Sequence, residues 1–198
     1  MQRLKNAQIW ASKFKKLQNM DIKKVTENEL PTLIALARET FVAAFEKQNN
    51  PNDFAAYTAS AFTFAAFKKE VNTEGSVFYL VYDDAELIGY FKLNHNKIPH
   101  DGIGLIPEFD LIKSNKMTEL ERIYLTENTH GKGFATLVMK GIVQLSKIEN
   151  SAFIWLGVWE NNLKAIKFYQ KASFSKFGEH IFMIGDDPQT DWLMSCEL

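Results

Sequence analysis

The sequence predicts a single α/β domain, an α+β arrangement in which helices flank a mixed β-sheet. Between residues 117 and 159 a strand, a glycine turn, a helix and a second strand follow one another, which is the pattern of a βαβ unit with parallel strands. Upstream, two segments rich in β-formers are joined by a short polar turn, which is typical of an antiparallel hairpin. The 198 residues are enough for one substantial hydrophobic core.

The first part of the chain is predicted to hold one strand and two helices. Residues 20–26 form the strand, and residues 27–47 form a helix that ends before Pro51. A second helix spans residues 53–71. Its apolar side chains recur on one stripe and are predicted to be core: Phe54, Tyr57, Ala61, Phe64 and Phe67.

The remainder begins with the hairpin and ends in a pair of strands. The β-formers fill residues 76–82 and 87–93, and a loop with glycines and prolines follows over residues 94–116. The predicted elements after this loop are strand 117–126, glycine turn 131–133, helix 134–148, strand 152–159, helix 163–171 and strands 175–183 and 192–197.

The composition is that of a globular protein. Apolar residues make up 46% and charged residues 24%, and no apolar run is long enough to cross a bilayer, so no membrane association is expected. Cys196 is the sole cysteine, which excludes an internal disulfide, and the four histidines show no zinc spacing, so no metal site is expected. These features predict a cytoplasmic protein.

Charge is distributed unevenly along the chain. Residues 1–19 carry five basic side chains and no acidic one, so residues 20–198 have a net charge of −6 while the whole chain has −1. We predict a basic extension over residues 1–19, with a packed N-terminal turn favoured over an organellar presequence, a membrane-surface helix or a partner helix. An acidic body disfavours nucleic acid as a partner and suits a cationic substrate.

The strongest functional signal is the glycine turn that opens the helix at residue 134. Its sequence is His130-Gly131-Lys132-Gly133-Phe134-Ala135-Thr136. Glycines let the backbone approach a ligand, and the unpaired N–H groups of a helix start bind phosphate. A P-loop needs Ser or Thr where this chain has Gly133, and a dinucleotide fingerprint needs Gly or Ala where it has Thr136. The turn therefore indicates a phosphate site of another kind.

The turn resembles the signature of the Gcn5-related N-acetyltransferase (GNAT) superfamily, (Arg or Gln)-x-x-Gly-x-(Gly or Ala), with Gly133 and Ala135 in place and His130 as a departure. The resemblance implies acetyl-CoA as cosubstrate and a GNAT-like N-acetyltransferase domain over residues 20–198, whose central parallel strands splay apart. It also implies a backbone cradle for the pyrophosphate, which assigns cofactor binding to His130, Gly131, Lys132, Gly133, Phe134, Ala135 and Thr136.

A second segment resembles the superfamily's Asn-x-x-Ala-x-x-x-Tyr motif, with Asn162, Ala165 and Tyr169 in place and Ser173 replacing the usual Gly before a Phe. The resemblance implies that Asn162 hydrogen-bonds the pantetheine arm, that Ala165 permits its close approach and that Tyr169 faces the thioester sulfur. Asn162 also suits the N-cap of the helix that follows, and the two roles are compatible. Taken alone, Tyr169 fits a half-buried aromatic of an amphipathic helix, and the first motif favours the functional role.

Four further segments are similar to the PaiA-type spermidine/spermine acetyltransferases of bacteria: residues 89–93, 119–124, 155–159 and 185–191. This similarity covers roughly residue 20 to the end of the chain. It implies that the acceptor is a small amine such as the polyamines spermidine and spermine. Family analogy also makes a homodimer a candidate assembly.

Acyl transfer to an amine requires a base and an oxyanion donor. An aliphatic amine has a pKa of about 10.4, so exposing its lone pair near neutral pH costs about 4 kcal/mol. Glu119 and Glu121 lie on the strand beside the expected thioester and are the candidate catalytic bases, with solvated strand charges as the alternative. By family analogy a main-chain N–H at a strand bulge stabilises the oxyanion, which adds to the cofactor-binding set Ile123, Tyr124 and Leu125.

The hydroxyl of Tyr169 is the candidate acid that protonates the leaving thiolate, and the reaction requires no metal. Two alternatives stay open at this point. The domain binds acetyl-CoA without turnover as a regulator, or its acceptor is a protein α-amine or lysine. For a polyamine, the candidate partners of the distal ammonium groups are Asp83, Asp84, Glu108, Asp110, Glu119 and Glu121.

Overall fold

A seven-stranded mixed sheet forms the centre of the protein. The computed structural model describes residues 20–99, 116–184 and 187–198, so the predicted extension over residues 1–19 and most of the predicted loop lie outside the described residues. The strand order is β1-β2-β3-β4-β5-β7-β6. The strands are β1 (Met20–Lys24), β2 (Ser76–Asp83), β3 (Glu86–His95), β4 (Met117–Leu125), β5 (Phe153–Trp159), β6 (Ser175–Ile184) and β7 (Asp187–Glu197).

Five α-helices cover this sheet within the described part of the chain. They are α1 (Leu30–Phe45), α2 (Pro51–Ala61), α3 (Phe64–Val71), α4 (Phe134–Ile148) and α5 (Leu163–Lys171). Among the described residues, no helix has the length and apolar character that spanning a membrane requires.

The predicted helix over residues 53–71 is wrong as a single element, because it is two helices, α2 and α3. The chain leaves helical geometry at Phe62 and Thr63, whose ψ angles are 48° and 153°. The side-chain oxygen of Thr63 then caps α3 by accepting a hydrogen bond from the backbone N–H of Ala66 at 3.2 Å. The predicted core stripe is also only partly correct, since Tyr57 and Phe64 are 45% and 48% exposed.

Each face of the sheet carries its own core. On one face α4 and α5 pack against β3, β4 and β5 through residues such as Val138, Ile142 and Leu156, which are fully buried. On the other face α1 and α3 pack against β2 and β3 through Leu33, Phe67 and others. The hydrophobic effect thus fixes helices on both sides of the sheet, as in other α/β folds.

The central parallel pair is short, and this opens the sheet. Strands β4 and β5 pair only from Met117 opposite Phe153 to Glu119 opposite Trp155, although both strands continue further. Beyond these pairs β5 stays bonded to β7 on its other side, while β4 stays bonded to β3. The predicted splay of the two central parallel strands is therefore confirmed.

Candidate active site

A cleft of about 2420 Å³ begins where β4 and β5 separate. Its walls come from the C-terminal halves of both strands, the starts of α4 and α5, and one side of α1 and α2. Pockets for drug-sized ligands are roughly 300–1,000 Å³. This cleft is therefore large enough for a long ligand together with a second, smaller one.

The glycine turn forms part of the cleft wall. Gly131 and Gly133 line it, with φ angles of 74° and 87°, in the left-handed region that glycine adopts without strain. A Cβ atom on either residue would meet no other atom within 4 Å. The open space in front of this backbone is where a ligand phosphate would approach.

The start of α4 presents backbone donors at this open space. The first intrahelical bond of α4 runs from the N–H of Leu137 to the carbonyl of Gly133, at 3.3 Å. The preceding N–H groups of Ala135 and Thr136 therefore have no intrahelical acceptor, as at any helix start. The exposed His130 precedes the turn in extended backbone geometry. The residues predicted to cradle a pyrophosphate thus form one continuous turn with its donors grouped at a helix N-terminus.

The free edge of β4 forms another part of the cleft wall. Ile123, Tyr124 and Leu125 all line it and all follow Glu119, the last residue of β4 that pairs with β5. The backbone groups of this segment that face β5 lack a strand partner on that side. An extended ligand that carries amide groups could pair with this edge, as an added strand does.

The predicted bulge around residues 123–125 is wrong in position, because the irregularity lies at Glu121. Residues 123 to 125 pair regularly with β3, whereas Lys92 pairs with Arg122 and the next residue, Leu93, pairs with Leu120. Glu121 is therefore the extra residue on β4. A bulge interrupts the alternation of side chains, and here Glu121 and Arg122 both reach the face of the sheet that carries α3.

The bulge is held by four charged side chains. The ammonium group of Lys92 lies 2.6 Å from carboxylate oxygens of both Glu70 and Glu121. The guanidinium group of Arg122 lies 3.1 Å from the same two carboxylates. Lys92 is buried, so this network pairs charges that would be costly to bury alone.

The network also sets the basicity of Glu121. Burial raises the pKa of Glu121, but the positive charges of Arg122 and Lys92, with hydrogen bonds from Lys92 and Asn94, outweigh burial and leave this pKa below its usual value. A carboxylate with a lowered pKa is a weaker base. Glu121 lines the cleft, yet its charge is already compensated within the protein.

Glu119, the other predicted base, has a different environment. Its buried carboxylate accepts a hydrogen bond from the side-chain amide of Asn94 and lies 2.8 Å from the ammonium group of Lys97. Glu119 is not one of the described residues that line the cleft, because it lies in the part of β4 that is paired with β5.

The second motif forms a further wall of the cleft. Asn162 is the N-cap of α5, and its side-chain oxygen accepts a hydrogen bond from the N–H of Ala165 at 3.1 Å. Both residues line the cleft. The cap uses only the amide oxygen, so the NH₂ group of Asn162 can donate to a ligand in the cleft. The expected capping role of Asn162 is confirmed.

Tyr169 lies deeper in the same wall. It is 9% exposed and contacts the rings of Phe168 and Phe174, with centroids 5.3 and 5.7 Å away. Burial, and to a lesser extent the nearby Tyr124, raise the pKa of Tyr169 above its ordinary value. The phenol therefore stays protonated at neutral pH and is available as a proton donor.

The side of the cleft formed by α1 and α2 was not predicted. The ring of Phe41 lies 5.3 Å from that of Tyr57, and Phe45 meets Tyr124 edge-on at 6.5 Å. Of these aromatics, helical periodicity predicted Tyr57 only as a core residue. Seven carboxylates of the described residues also line the cleft: Glu39, Asp53, Glu70, Glu86, Glu121, Glu127 and Asp191. Of the described acidic residues that were predicted to contact the acceptor, only Glu121 is in this set.

Within the described ranges, no three or more His, Cys, Asp or Glu side chains are grouped as a metal site would require. Two of the predicted acceptor carboxylates, Glu108 and Asp110, lie outside the described residues.

Comparison with known proteins agrees with this geometry. The acetyltransferase (GNAT) family profile matches residues 31–174. An uncharacterized N-acetyltransferase in the pepI 3′ region of Lactobacillus delbrueckii subsp. lactis is 32% identical over 182 residues, which cover 92% of this chain and 99% of the relative. The spermine/spermidine N(1)-acetyltransferase of Bacillus subtilis (strain 168) is 35% identical over 100 residues, which cover 50% of this chain and 59% of that protein.

A solved structure has the same fold. It is the PaiA N-acetyltransferase of Thermoplasma acidophilum in complex with coenzyme A, with a TM-score of 0.66 and 19% identity over 90% of this chain and 99% of that one. The family profile spans well over half of this chain, and the splayed strands and glycine turn lie within that span. The chain therefore belongs to the acetyltransferase (GNAT) family and is an acetyl-CoA-dependent N-acetyltransferase.

Proposed function

We propose that this enzyme acetylates a polyamine such as spermidine or spermine by direct transfer, with Tyr169 as the general acid. The observation that carries the proposal is the acceptor side of the cleft, where an aromatic wall stands next to carboxylates on α1 and α2. The partial similarity to the Bacillus subtilis enzyme named for spermine and spermidine supports it.

The acceptor side suits a flexible polycation. Glu39 and Asp53 are exposed and line the cleft, and the exposed ring of Tyr57 lies near them on α2. A polyamine alternates ammonium groups with methylene segments. Its charged groups would meet the carboxylates, and its methylenes would pass over the aromatic rings, while one terminal amine reaches the splayed strands. This arrangement favours a polyamine over a monoamine, which leaves the distal carboxylates unused.

The cosubstrate site is assigned to the open turn and the free strand edge. Bound acetyl-CoA supplies the thioester acetyl group. The backbone of residues 130–136 would hold its pyrophosphate at the start of α4, because anions bind at helix N-termini. The edge of β4 at residues 123–125 and the NH₂ group of Asn162 would bind the pantetheine amides, with Ala165 leaving room for the arm. Main-chain N–H groups of this edge would stabilise the charge that develops on the carbonyl oxygen.

Tyr169 would then protonate the sulfur as the carbon–sulfur bond breaks. Glu119 and Glu121 were the candidate bases, and both are occupied by ion pairs. We propose that Glu121 instead shapes the bulge through its ion pairs with Lys92 and Arg122, and that Glu119 holds the paired part of β4 through its contacts with Asn94 and Lys97. The proton of the attacking amine then needs another acceptor.

The two roles of Asn162 can be separated by substitution. Asn162→Ala is expected to lower the free energy of unfolding by about 1 kcal/mol, the usual cost of a lost N-cap, and to weaken acetyl-CoA binding. Asn162→Asp keeps the capping oxygen but removes the NH₂ donor, so only acetyl-CoA binding should weaken. Urea unfolding and acetyl-CoA titration of both variants check this. Binding unchanged in both variants would remove Asn162 from the cosubstrate site.

A panel of acceptors tests the proposed substrate class. Purified enzyme is given acetyl-CoA with spermidine, spermine, a monoamine, an aminoglycoside or a peptide with a free N-terminus, and release of free thiol is followed. We expect the polyamines to have the highest kcat/KM and to lose this advantage at high salt, because the distal contacts are screened. A peptide or monoamine with higher kcat/KM would contradict the polyamine assignment and leave the acetyltransferase assignment intact.

A further inference from the structure

We propose that Asp191 is a catalytic residue that binds the attacking ammonium group of the acceptor and takes its proton. This inference rests on the proposed amine acetylation and adds to it the base that Glu119 and Glu121 do not provide. Asp191 lies on β7, the strand that pairs with β5, and its side chain lines the cleft.

The carboxylate of Asp191 lies over a gap in the surface of β5. A Cβ atom on Gly157 would lie 3.4 Å from the Oδ2 atom of Asp191. Gly157 is exposed and lines the cleft together with Asp191. Because Gly157 has no side chain, the carboxylate is reachable from the cleft across this strand.

The position of Gly157 is the point at which the sheet opens. Glu119 on β4 pairs with Trp155 on β5. Two residues further along each strand, Gly157 is therefore level with Glu121 and the bulge. Side chains of one strand alternate between faces, so Gly157 shares with Trp155 the face on which Glu119 lies. That is the acceptor face, which also carries Glu121 and Tyr124. Asp191 therefore lies on the acceptor face of the sheet. Along the strands it is at the height where the thioester would bind between β4 and β5.

The electrostatic environment of Asp191 differs from that of Glu121. Burial raises the pKa of Asp191 from its ordinary value, and the neighbouring His180 offsets this only in part. His180 is its partner on β6, and β5 contributes the uncharged Gly157 and Trp159 beside it. A raised pKa makes Asp191 a stronger base than Glu121, and a carboxylate at this position attracts an ammonium ion.

The proton and bond changes balance. The acceptor arrives as an ammonium ion and gives one proton to the carboxylate of Asp191. The free amine attacks the thioester carbon, so the carbon–nitrogen bond forms and the carbon–sulfur bond breaks. Tyr169 gives its hydroxyl proton to the sulfur and is restored by the second proton that the nitrogen loses. Asp191 then releases its proton to water, and one proton is released per amide formed.

Kinetics of Asp191→Asn test this assignment. We measure kcat/KM for the best acceptor of the wild-type panel across pH, with Glu197→Gln, an exposed position at the far end of β7, as the control. Asp191→Asn should lower kcat/KM for the amine at least tenfold. This is less than the full effect of losing a proton-transfer group, because water can partly replace the carboxylate. In the wild type, kcat/KM should rise with pH as Asp191 loses its proton. This rise should be absent in Asp191→Asn. The acetyl-CoA Kd and the behaviour of Glu197→Gln should match wild type.

The outcome separates this inference from the proposed substrate. If the wild type prefers a peptide, the polyamine assignment fails, and Asp191 is still tested with that peptide. Wild-type kcat/KM and an unchanged pH profile in Asp191→Asn would overturn the role of Asp191 alone. If Asp191→Asn loses its fold, Gly157→Ala decides, because its methyl group lies 3.4 Å from the carboxylate and covers it from the cleft. A fall in kcat/KM for the amine then supports the proposal, and a wild-type value overturns it.

Discussion

Tyr169→Phe is expected to lower kcat about 10²-fold or more, the usual scale for a lost proton transfer, while the acetyl-CoA Kd changes little. The ring packing against Phe168 and Phe174 survives the change, because only the hydroxyl is removed. The loss should therefore appear in turnover and not in stability. Steady-state kinetics at saturating substrates and a thermal melt measure the two effects separately.

Tyr79→Phe is the matched control, since Tyr79 also has a pKa raised by burial but stacks on Phe91 outside the cleft. The pH dependence adds a second readout. A general acid must be protonated, so kcat falls as pH rises through its pKa. Because burial raises the pKa of Tyr169, this fall should lie above the ordinary tyrosine value of about 10. A Tyr169→Phe enzyme with wild-type turnover would remove the phenol from the mechanism.

Gly133→Val should abolish most of the stabilisation that acetyl-CoA gives to the protein. At 100 times its Kd a ligand stabilises a native protein by about 2.7 kcal/mol, which appears as a raised melting temperature. The valine side chain would occupy the open space before the turn, where the pyrophosphate is proposed to bind. It would also be strained at a φ of 87°, so the free protein should melt earlier too.

Asn150→Val separates strain from blocked binding. Asn150 follows the other end of α4 with a φ of 59° and is exposed, so valine there brings backbone strain without entering the cleft. This variant should lose stability but keep the full acetyl-CoA shift. ATP and NAD should shift the melting temperature of the wild type much less than acetyl-CoA does. A full acetyl-CoA shift in Gly133→Val would exclude the turn as the pyrophosphate site.

The predictions that succeeded depend on local signals. The predicted bounds of α4 and α5 are correct. They could be found in the sequence because Gly133 and Asn162 are N-caps and an amphipathic pattern follows each of them. The split between α2 and α3 was missed because the apolar stripe continues in helical phase through Thr63, so periodicity alone gives no sign of the break. Tyr57 and Phe64 fit that stripe but stay exposed, since α2 forms a wall of the cleft.

The parts of the site that were missed depend on contacts between distant segments. The bulge at Glu121 is a register shift against β3, and it becomes visible only when Lys92 and Arg122 are seen paired across the two strands. In the same way, Asp191 reaches the cleft because Gly157, on another strand, has no side chain. Neither feature has a signature within its own segment. The glycine turn and the Asn162 cap could be found because their function depends on a few consecutive residues.

Mass spectrometry of the complete reaction is the direct test of polyamine acetylation by this enzyme. The full chain is incubated with acetyl-CoA and spermidine, and the amine product and coenzyme A are quantified together, with a reaction lacking enzyme as the reference. We expect monoacetylated spermidine in equal amount to the coenzyme A released, and product lower by about 10²-fold or more with Tyr169→Phe on the same timescale. Coenzyme A released without an acetylated amine, or bound acetyl-CoA that reacts with no member of the acceptor panel, would contradict this expectation.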